Sequence, residues 1–264
     1  MVRTNSLSGS RRGHPRPLQD MFTAVPPRYD LINCLITLGQ DDRWRLLAAR
    51  ECVAGGPARM LDLGCGTGKL AALVATLADS GTRVTGIDFS LPMLRMAVAG
   101  AGGARGRERV SFVYGDGAAL PFPDEYFQCV GISFAFRNLT YKNPMALRYL
   151  AEVVRVLRPG GRFVIVESSQ PESRLVRKVF HAYLRLPVRW LGSVISGNRG
   201  AYRYLAESAA RFYDPGELGA LLVSSGFSRI CSRPLMLGTV GIHVAFKGSM
   251  TGEDPQGVNP HGRT

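Results

Sequence analysis

Met60-Leu61-Asp62-Leu63-Gly64-Cys65-Gly66-Thr67-Gly68-Lys69 decides the fold of this protein. Leu61 to Leu63 reads as the end of a buried strand, and from Lys69 the apolar residues recur at helical spacing. Between them, glycines at 64, 66 and 68 let the backbone turn tightly and approach a ligand with no Cβ in the way. Strand, turn and helix start within one short run describe a cradle for a nucleotide-like cofactor.

The spacing separates two kinds of cofactor. Dinucleotide sites favour G-x-G-x-x-G, with the pyrophosphate on the helix N-terminus. Here the run is G-x-G-x-G, and Asp62 precedes the first glycine, where a carboxylate holds an ammonium group and repels a pyrophosphate. The pattern favours S-adenosyl-L-methionine, whose amino-acid end carries an amine, over NAD.

Outward from this run, short β-branched stretches alternate with helical patterns, the signature of a mostly parallel sheet covered on both faces. The expected helices run from Lys69 to about Asp79, from Leu91 to Ala99 and from Pro144 to Leu157, the last stopped by Arg158-Pro159-Gly160-Gly161. Strands are expected over 83–87, 110–114, 127–133 and 163–167. Asp214-Pro215-Gly216-Glu217 supplies an N-cap, a first-turn proline and a capping-box glutamate for a helix ending near Ser225-Gly226. A hairpin over 228–235 and 239–246 follows. The fold class is α/β: a seven-stranded, Rossmann-like sheet with its last strand antiparallel, and a helical cap inserted before the C-terminal helix and hairpin.

In an open α/β sheet the ligand lies beyond the carboxyl ends of the strands. Gly64, Gly66, Thr67 and Gly68 follow the first strand, and Asp88 follows the second, placed to accept from two ribose hydroxyls. Asp116, within Gly115-Asp116-Gly117, follows the third as an acceptor for an adenine amine. Ser133 ends the fourth, at the reactive end. Phe89 and Met93 are candidates to cover the adenine.

The sequence has 264 residues, enough for one large domain, and every apolar run is broken by Arg, Gly or Pro well short of the roughly 18 residues of a membrane span. The net charge of +13 would suit a polyanion, but the basic residues are dispersed arginines without an aromatic stacking platform, so no nucleic-acid partner is expected. The five cysteines are scattered without a C-x-x-C pair and the four histidines lack ligand spacing, which indicates a reducing cytoplasm and no metal. Residues 1–19, basic and free of acids, and residues 248–264 have the composition of disordered tails, leaving 20–247 as the folded domain with its cap at about 171–211. An organelle transit peptide is the alternative for the first segment.

Over most of 22–247 the sequence resembles the C-methyltransferases of menaquinone and ubiquinone biosynthesis. The resemblance rests on Tyr29-Asp-Leu-Ile-Asn33, Leu38-Gly39, Trp44-Arg45, the glycine run, Gly86-Ile-Asp-Phe-Ser90, Leu120-Pro-Phe-Pro-Asp124, Ile132-Ser-Phe-Ala-Phe-Arg-Asn138, Arg155-Val-Leu-Arg-Pro-Gly-Gly161, Tyr202-Arg-Tyr-Leu-Ala-Glu-Ser208 and Gly241-Ile-His243. It implies that Thr67, Asp88, Asp116, Gly117 and Ser133 contact the cofactor. The substrate it implies is a reduced polyprenyl quinol. Arg137, which holds its charge and follows the fourth strand, would then favour the phenolate, and Asn138 would orient the ring oxygen. Tyr29, His181, Tyr202 and Tyr204 are candidates for a general base, with water as the alternative. Three departures stand out: Glu167-Ser168-Ser169 in place of Glu-Phe-Ser, Gln40-Asp41-Asp42 before Arg43, and Gly117 in place of a common Ala.

The cap segment carries eight Lys or Arg against two Glu, interleaved with aromatics, which suits transient contact with an anionic membrane surface. The expected location is cytoplasmic, peripheral at the inner face of the membrane, with a homodimer or a quinone-synthesis assembly as the open partner question. Two further readings remain compatible with the sequence: another small or lipid acceptor on the same fold, and a non-catalytic S-adenosylmethionine-binding subunit.

Overall fold

A computed structural model describes residues 2–3, 33–34, 37–100, 106–185 and 199–248. The strands are β1 (Val2–Arg3), β2 (Arg59–Leu63), β3 (Arg83–Asp88), β4 (Val110–Tyr114), β5 (Phe127–Ser133), β6 (Leu157–Ser168), β7 (Phe227–Leu235) and β8 (Val240–Lys247). The helices are α1 (Asp41–Val53), α2 (Lys69–Leu77), α3 (Leu91–Gly100), α4 (Phe136–Thr140), α5 (Ala146–Val156), α6 (Arg174–Tyr183), α7 (Arg199–Ala210) and α8 (Pro215–Ser224). Most of Tyr29–Asn33, the remainder of the expected arm at 4–19, the middle of the cap at 186–198 and the tail at 249–264 lie outside the described residues.

The sheet order is β1-β4-β3-β2-β5-β6-β8-β7. The pairs from β4 through β6 are parallel, and β8 runs antiparallel between β6 and β7. This is the expected seven-stranded Rossmann-like methyltransferase sheet, with one addition. Val2–Arg3 pairs with Phe112 and Val113 of β4. Without that pair β4 would be an edge, and an edge strand presents unpaired N–H and C=O groups that template another strand.

Alternation along the central strands builds two cores, one on each face. Leu61, Leu63, Val130, Ile132, Phe163 and Ile165 pack with α5 and α8 residues such as Leu150, Val153, Leu218 and Leu222. Met60, Cys129, Val164 and Val166 pack with Trp44, Ala48, Cys52, Leu70, Val74 and Leu94 from α1, α2 and α3. Both faces are apolar because both are covered.

The capping box at α8 forms as its sequence implies. Asp214 Oδ1 accepts from Gly216 and Glu217 N–H, each at 2.9 Å, and Glu217 Oε2 accepts from Asp214 N–H at 3.0 Å. The Arg158-Pro159-Gly160-Gly161 stop ends α5 at Val156, yet those residues sit in β6 as a wide irregularity: Phe127 faces Leu157, but Cys129 already faces Arg162. Gly160 has φ +72°, which lets the loop fold out before pairing resumes.

Candidate active site

The parallel strands β2, β3, β4 and β5 all end at one edge of the sheet, so the segments after them meet in one cleft. Its wall includes Gly64, Gly66 and Thr67 after β2, Asp88 and Phe89 at the end of β3, Gly115 and Gly117 after β4, and Ser133, Phe134 and Asn138 at and after β5. Met93 completes the wall from α3. Gly66 has φ +52°, and a Cβ built there would meet nothing within 4 Å. That is the cradle expected of a residue that must leave room for a ligand.

Asp88 is buried at the cleft wall. Its Oδ2 accepts from Gly66 N–H at 2.9 Å and its Oδ1 from Ser90 N–H at 2.8 Å, so it holds the glycine turn and the start of α3 together. Burial raises its carboxyl above the ordinary value, against the pull of these backbone donors.

Two of the expected cofactor residues do not reach the wall. Asp116 sits between Gly115 and Gly117, where its Oδ1 accepts from Ala118 N–H at 2.9 Å and its carboxylate meets the Tyr149 hydroxyl, so it braces the loop. Asp62 lies behind the turn, on the sheet face that packs against α2, because strand alternation sends it to the same side as Met60. It is fully buried, its Oδ2 accepts from Ala71 N–H at 3.0 Å, and its Oδ1 has no partner among the described residues.

Burial pushes the Asp62 carboxyl up to about 7, aided by the nearby Asp88 charge. An unfolded aspartate titrates near pH 4, so between roughly pH 4 and 7 the folded protein holds a proton that the unfolded one releases, and stability falls as pH rises through that window. Asn at this position still accepts from Ala71. Asp62→Asn should therefore raise the unfolding free energy near pH 8 by up to about 4 kcal/mol relative to the parent, with little difference near pH 4. Urea titrations of both proteins across that range, without ligand, measure the difference; a difference independent of pH would refute it.

Beside the cleft lies a second, mostly apolar cavity of about 340 Å³. Val176, Phe180 and Leu184 from the cap, Leu205 and Ala209 from α7, and Met236 and Leu237 from the β7–β8 turn contribute to it. Arg45 and Phe134 line both spaces. Phe134 carries φ +54°, a left-handed conformation disfavoured for an aromatic residue. The Arg45 guanidinium sits 5.1 Å from its ring centroid and Trp44 lies 6.1 Å away. Arg45 in turn is paired with buried Asp41, and Lys69, also in the cleft wall, bridges to Asp42 at 3.1 Å. Burial alone would raise the Asp41 carboxyl, but Arg45, Lys69 and Thr37 bring it below its ordinary value.

Arg137 lines the cavity, whereas Asn138 lines the cleft. Arg137 Nη1 donates to Glu167 Oε1 at 2.8 Å and to Ser168 Oγ at 2.5 Å, and its backbone N–H donates to Glu167 Oε2 at 3.1 Å. Glu167 is fully buried. Arg137 Nε and Tyr204 Oη are buried without partners among the described residues, and the Tyr204 hydroxyl lies within the fields of both Arg137 and Glu167. His181, another base candidate, has its Nε2 at 2.9 Å from Gln170 Oε1, which ties α6 to the end of β6. The Tyr29 base candidate lies outside the described residues, as does the Tyr202 side chain.

Arg45, Lys69 and Phe134 are wall residues that sequence reasoning did not single out. The Trp44-Arg45 pair was visible only as part of a motif. Nothing in the local pattern says that Phe134 adopts a positive φ.

A glycine cleft sharing a wall with a buried-arginine cavity narrows the comparison with known proteins. The ubiE/COQ5 methyltransferase family matches residues 10–247. The chain belongs to that family. It is 43% identical over 224 residues to a demethylmenaquinone methyltransferase of Thermus thermophilus, covering 85% of this chain and 98% of the relative. A ubiquinone/menaquinone biosynthesis C-methyltransferase of Geobacter sulfurreducens is 34% identical over 231 residues, covering 88% of each. The fold is also that of a SAM-dependent methyltransferase from Aquifex aeolicus, at a TM-score of 0.56 and 17% identity, over 82% of this chain and 96% of that one. As a family member the protein uses S-adenosyl-L-methionine.

Proposed function

We propose that this protein methylates a ring carbon of a reduced polyprenyl quinol, the step from demethylmenaquinol to menaquinol or its counterpart in ubiquinone biosynthesis. The observation that carries the reading is the shared wall. A polar cleft behind the glycine turn and an apolar cavity holding a buried arginine meet at Arg45 and Phe134, so a donor in one faces an acceptor in the other.

The cavity volume falls within the roughly 300–1,000 Å³ of small-molecule sites, and its walls suit a ring with an apolar tail. When bound, S-adenosyl-L-methionine supplies an electrophilic methyl group. In the cleft, Gly64, Gly66, Thr67, Asp88, Gly117 and Ser133 border it, while Asp62 and Asp116 hold the loops that do so. In the cavity, Arg137 supplies a fixed positive charge. A phenol loses its proton near pH 10 in water, and a neighbouring guanidinium lowers that, placing electron density on the ring carbon. Arg137 Nε and Tyr204 Oη are donors left without partners among the described residues, the arrangement expected of groups that a substrate oxygen completes. Asn138, on the cleft side, orients the ring oxygen nearest the donor. Burial keeps the Tyr204 hydroxyl protonated, so it serves as a donor and water accepts the ring proton.

The phenolate is the form that reacts, and the hydroquinone supplies it; the oxidised quinone does not. Contact with a membrane surface belongs to the same proposal, because a polyprenyl quinol resides in lipid. Purified protein incubated with labelled S-adenosylmethionine and each reduced demethylated quinol should yield a C-methylated product from a naphthoquinol or a benzoquinol. Cofactor binding without product from either would leave a non-catalytic subunit, and product only from an unrelated lipid acceptor would reassign the substrate.

A further inference from the structure

The cavity opens at a rim whose composition fits neither a buried core nor an ordinary wet surface. Leu237 is 80% exposed, Leu175 71%, Leu38 69% and Val179 62%, and all but Leu175 also line the cavity. They come from three places: the segment before α1, the exposed face of α6, and the turn between β7 and β8. At that turn Met236 and Leu237 both have positive φ, at 44° and 57°, a conformation disfavoured for residues with a side chain. The turn thus holds two large apolar side chains outward in a strained backbone. On α6, Leu175, Val179 and Ala182 follow one another along the exposed face, and Arg174, Lys178 and Arg185 are exposed beside them.

We propose that this rim docks on the surface of an anionic bilayer, with Leu38, Leu175, Val179 and Leu237 entering the headgroup boundary and Arg174 and Lys178 against lipid phosphates. The proposal rests on the quinol reading and deepens it by naming the face through which the substrate enters. Charge decides the occupant: exposed apolar residues flanked by cations on a protein of net charge +13 complement an anionic lipid surface. The cavity mouth lies inside the same rim, so docking would bring the mouth to the depth at which a polyprenyl quinol resides.

The test is a triple variant, Arg174→Glu/Leu175→Glu/Lys178→Glu, at three exposed positions that do not line the cavity. Two of them lie in the first turn of α6, where acids suit the helix dipole, so the fold should be retained. The parent should co-sediment with phosphatidylcholine–phosphatidylglycerol vesicles more strongly at low than at high salt, and the variant should lose at least about tenfold in partitioning. With demethylquinol carried in the vesicles, variant turnover should fall by a similar factor, while turnover of a short-tailed, water-soluble demethylquinol should equal that of the parent. Vesicle binding unchanged in the variant, or no binding by the parent, overturns the proposal. So does a parent dimer that the variant converts to monomer without any vesicle binding, which would assign the rim to a second copy. Rim-dependent vesicle binding with no turnover of either quinol leaves the docking face standing and removes the quinol reading.

Discussion

Arg137→Ala should lower kcat for quinol methylation by about 10²–10³-fold while cofactor affinity stays within about twofold, because it removes a fixed charge from the acceptor side alone. The same change has a structural cost. Glu167 accepts from Arg137 twice and is fully buried. Deleting the guanidinium leaves that carboxylate without its counter-charge, which destabilises by about 3–5 kcal/mol. The two effects separate in Arg137→Met/Glu167→Gln, where neither charge remains and packing volume is kept. That double variant should recover most of the unfolding free energy and none of the turnover. Single-turnover assays with labelled cofactor, calorimetric cofactor binding and urea unfolding on the three proteins measure the outcome. Recovery of turnover along with stability would reduce Arg137 to a structural ion pair.

Gly66→Val should cost at least about a hundredfold in cofactor affinity, roughly 3 kcal/mol, with the unfolding midpoint lowered by only a few degrees. The added side chain points into the open cleft, where a Cβ meets no protein atom within 4 Å, so it competes with the ligand alone. The remaining cost is backbone strain at φ +52°, about 1–2 kcal/mol. Gly68→Val should behave in the opposite way. Its Cβ would come within 2.9 Å of the Phe112 ring and 3.1 Å of Ala97, both in the core beneath the turn, so the fold suffers before binding can be measured. Equal loss of stability in the two variants would mean that Gly66 is not part of a ligand cradle.

Much of the architecture was legible because each element carries a local physical signal. Short β-branched or apolar runs marked β2 to β5, and Asp214-Pro215-Gly216-Glu217 marked α8 through hydrogen bonds made within four residues. The β6 boundary was less legible. Pro159 and the two glycines signal an end to the helix, but only pairing with β5 decides whether the next residues leave the sheet or bulge from it.

The site divided along the same line. Gly64, Gly66 and Asp88 were legible because a parallel sheet puts every strand's end at one edge, so position in sequence implies position in the cleft. Asp62 and Asp116 have equally suggestive places, yet one points behind the turn and the other braces its own loop. Ser168, a departure from the family's usual pattern, proved to be a hydrogen-bond partner of Arg137, and the departing Asp41 proved to be the partner of Arg45. The second is an i,i+4 pair within α1, which helical spacing allows, but no local pattern specifies the first, between residues 31 apart.

By itself the sequence determined the α/β class, the glycine cradle, the choice of S-adenosyl-L-methionine over a dinucleotide, and the family, because these depend on local backbone demands and short-range spacing. The tertiary structure alone decided that Arg137 faces an apolar cavity and not the glycine cleft, that Arg45 and Phe134 line both, and that Leu38, Val179 and Leu237 line one cavity. Those residues lie on elements far apart in the sequence, and only the packing of cap, hairpin and α1 around the strand ends brings them together.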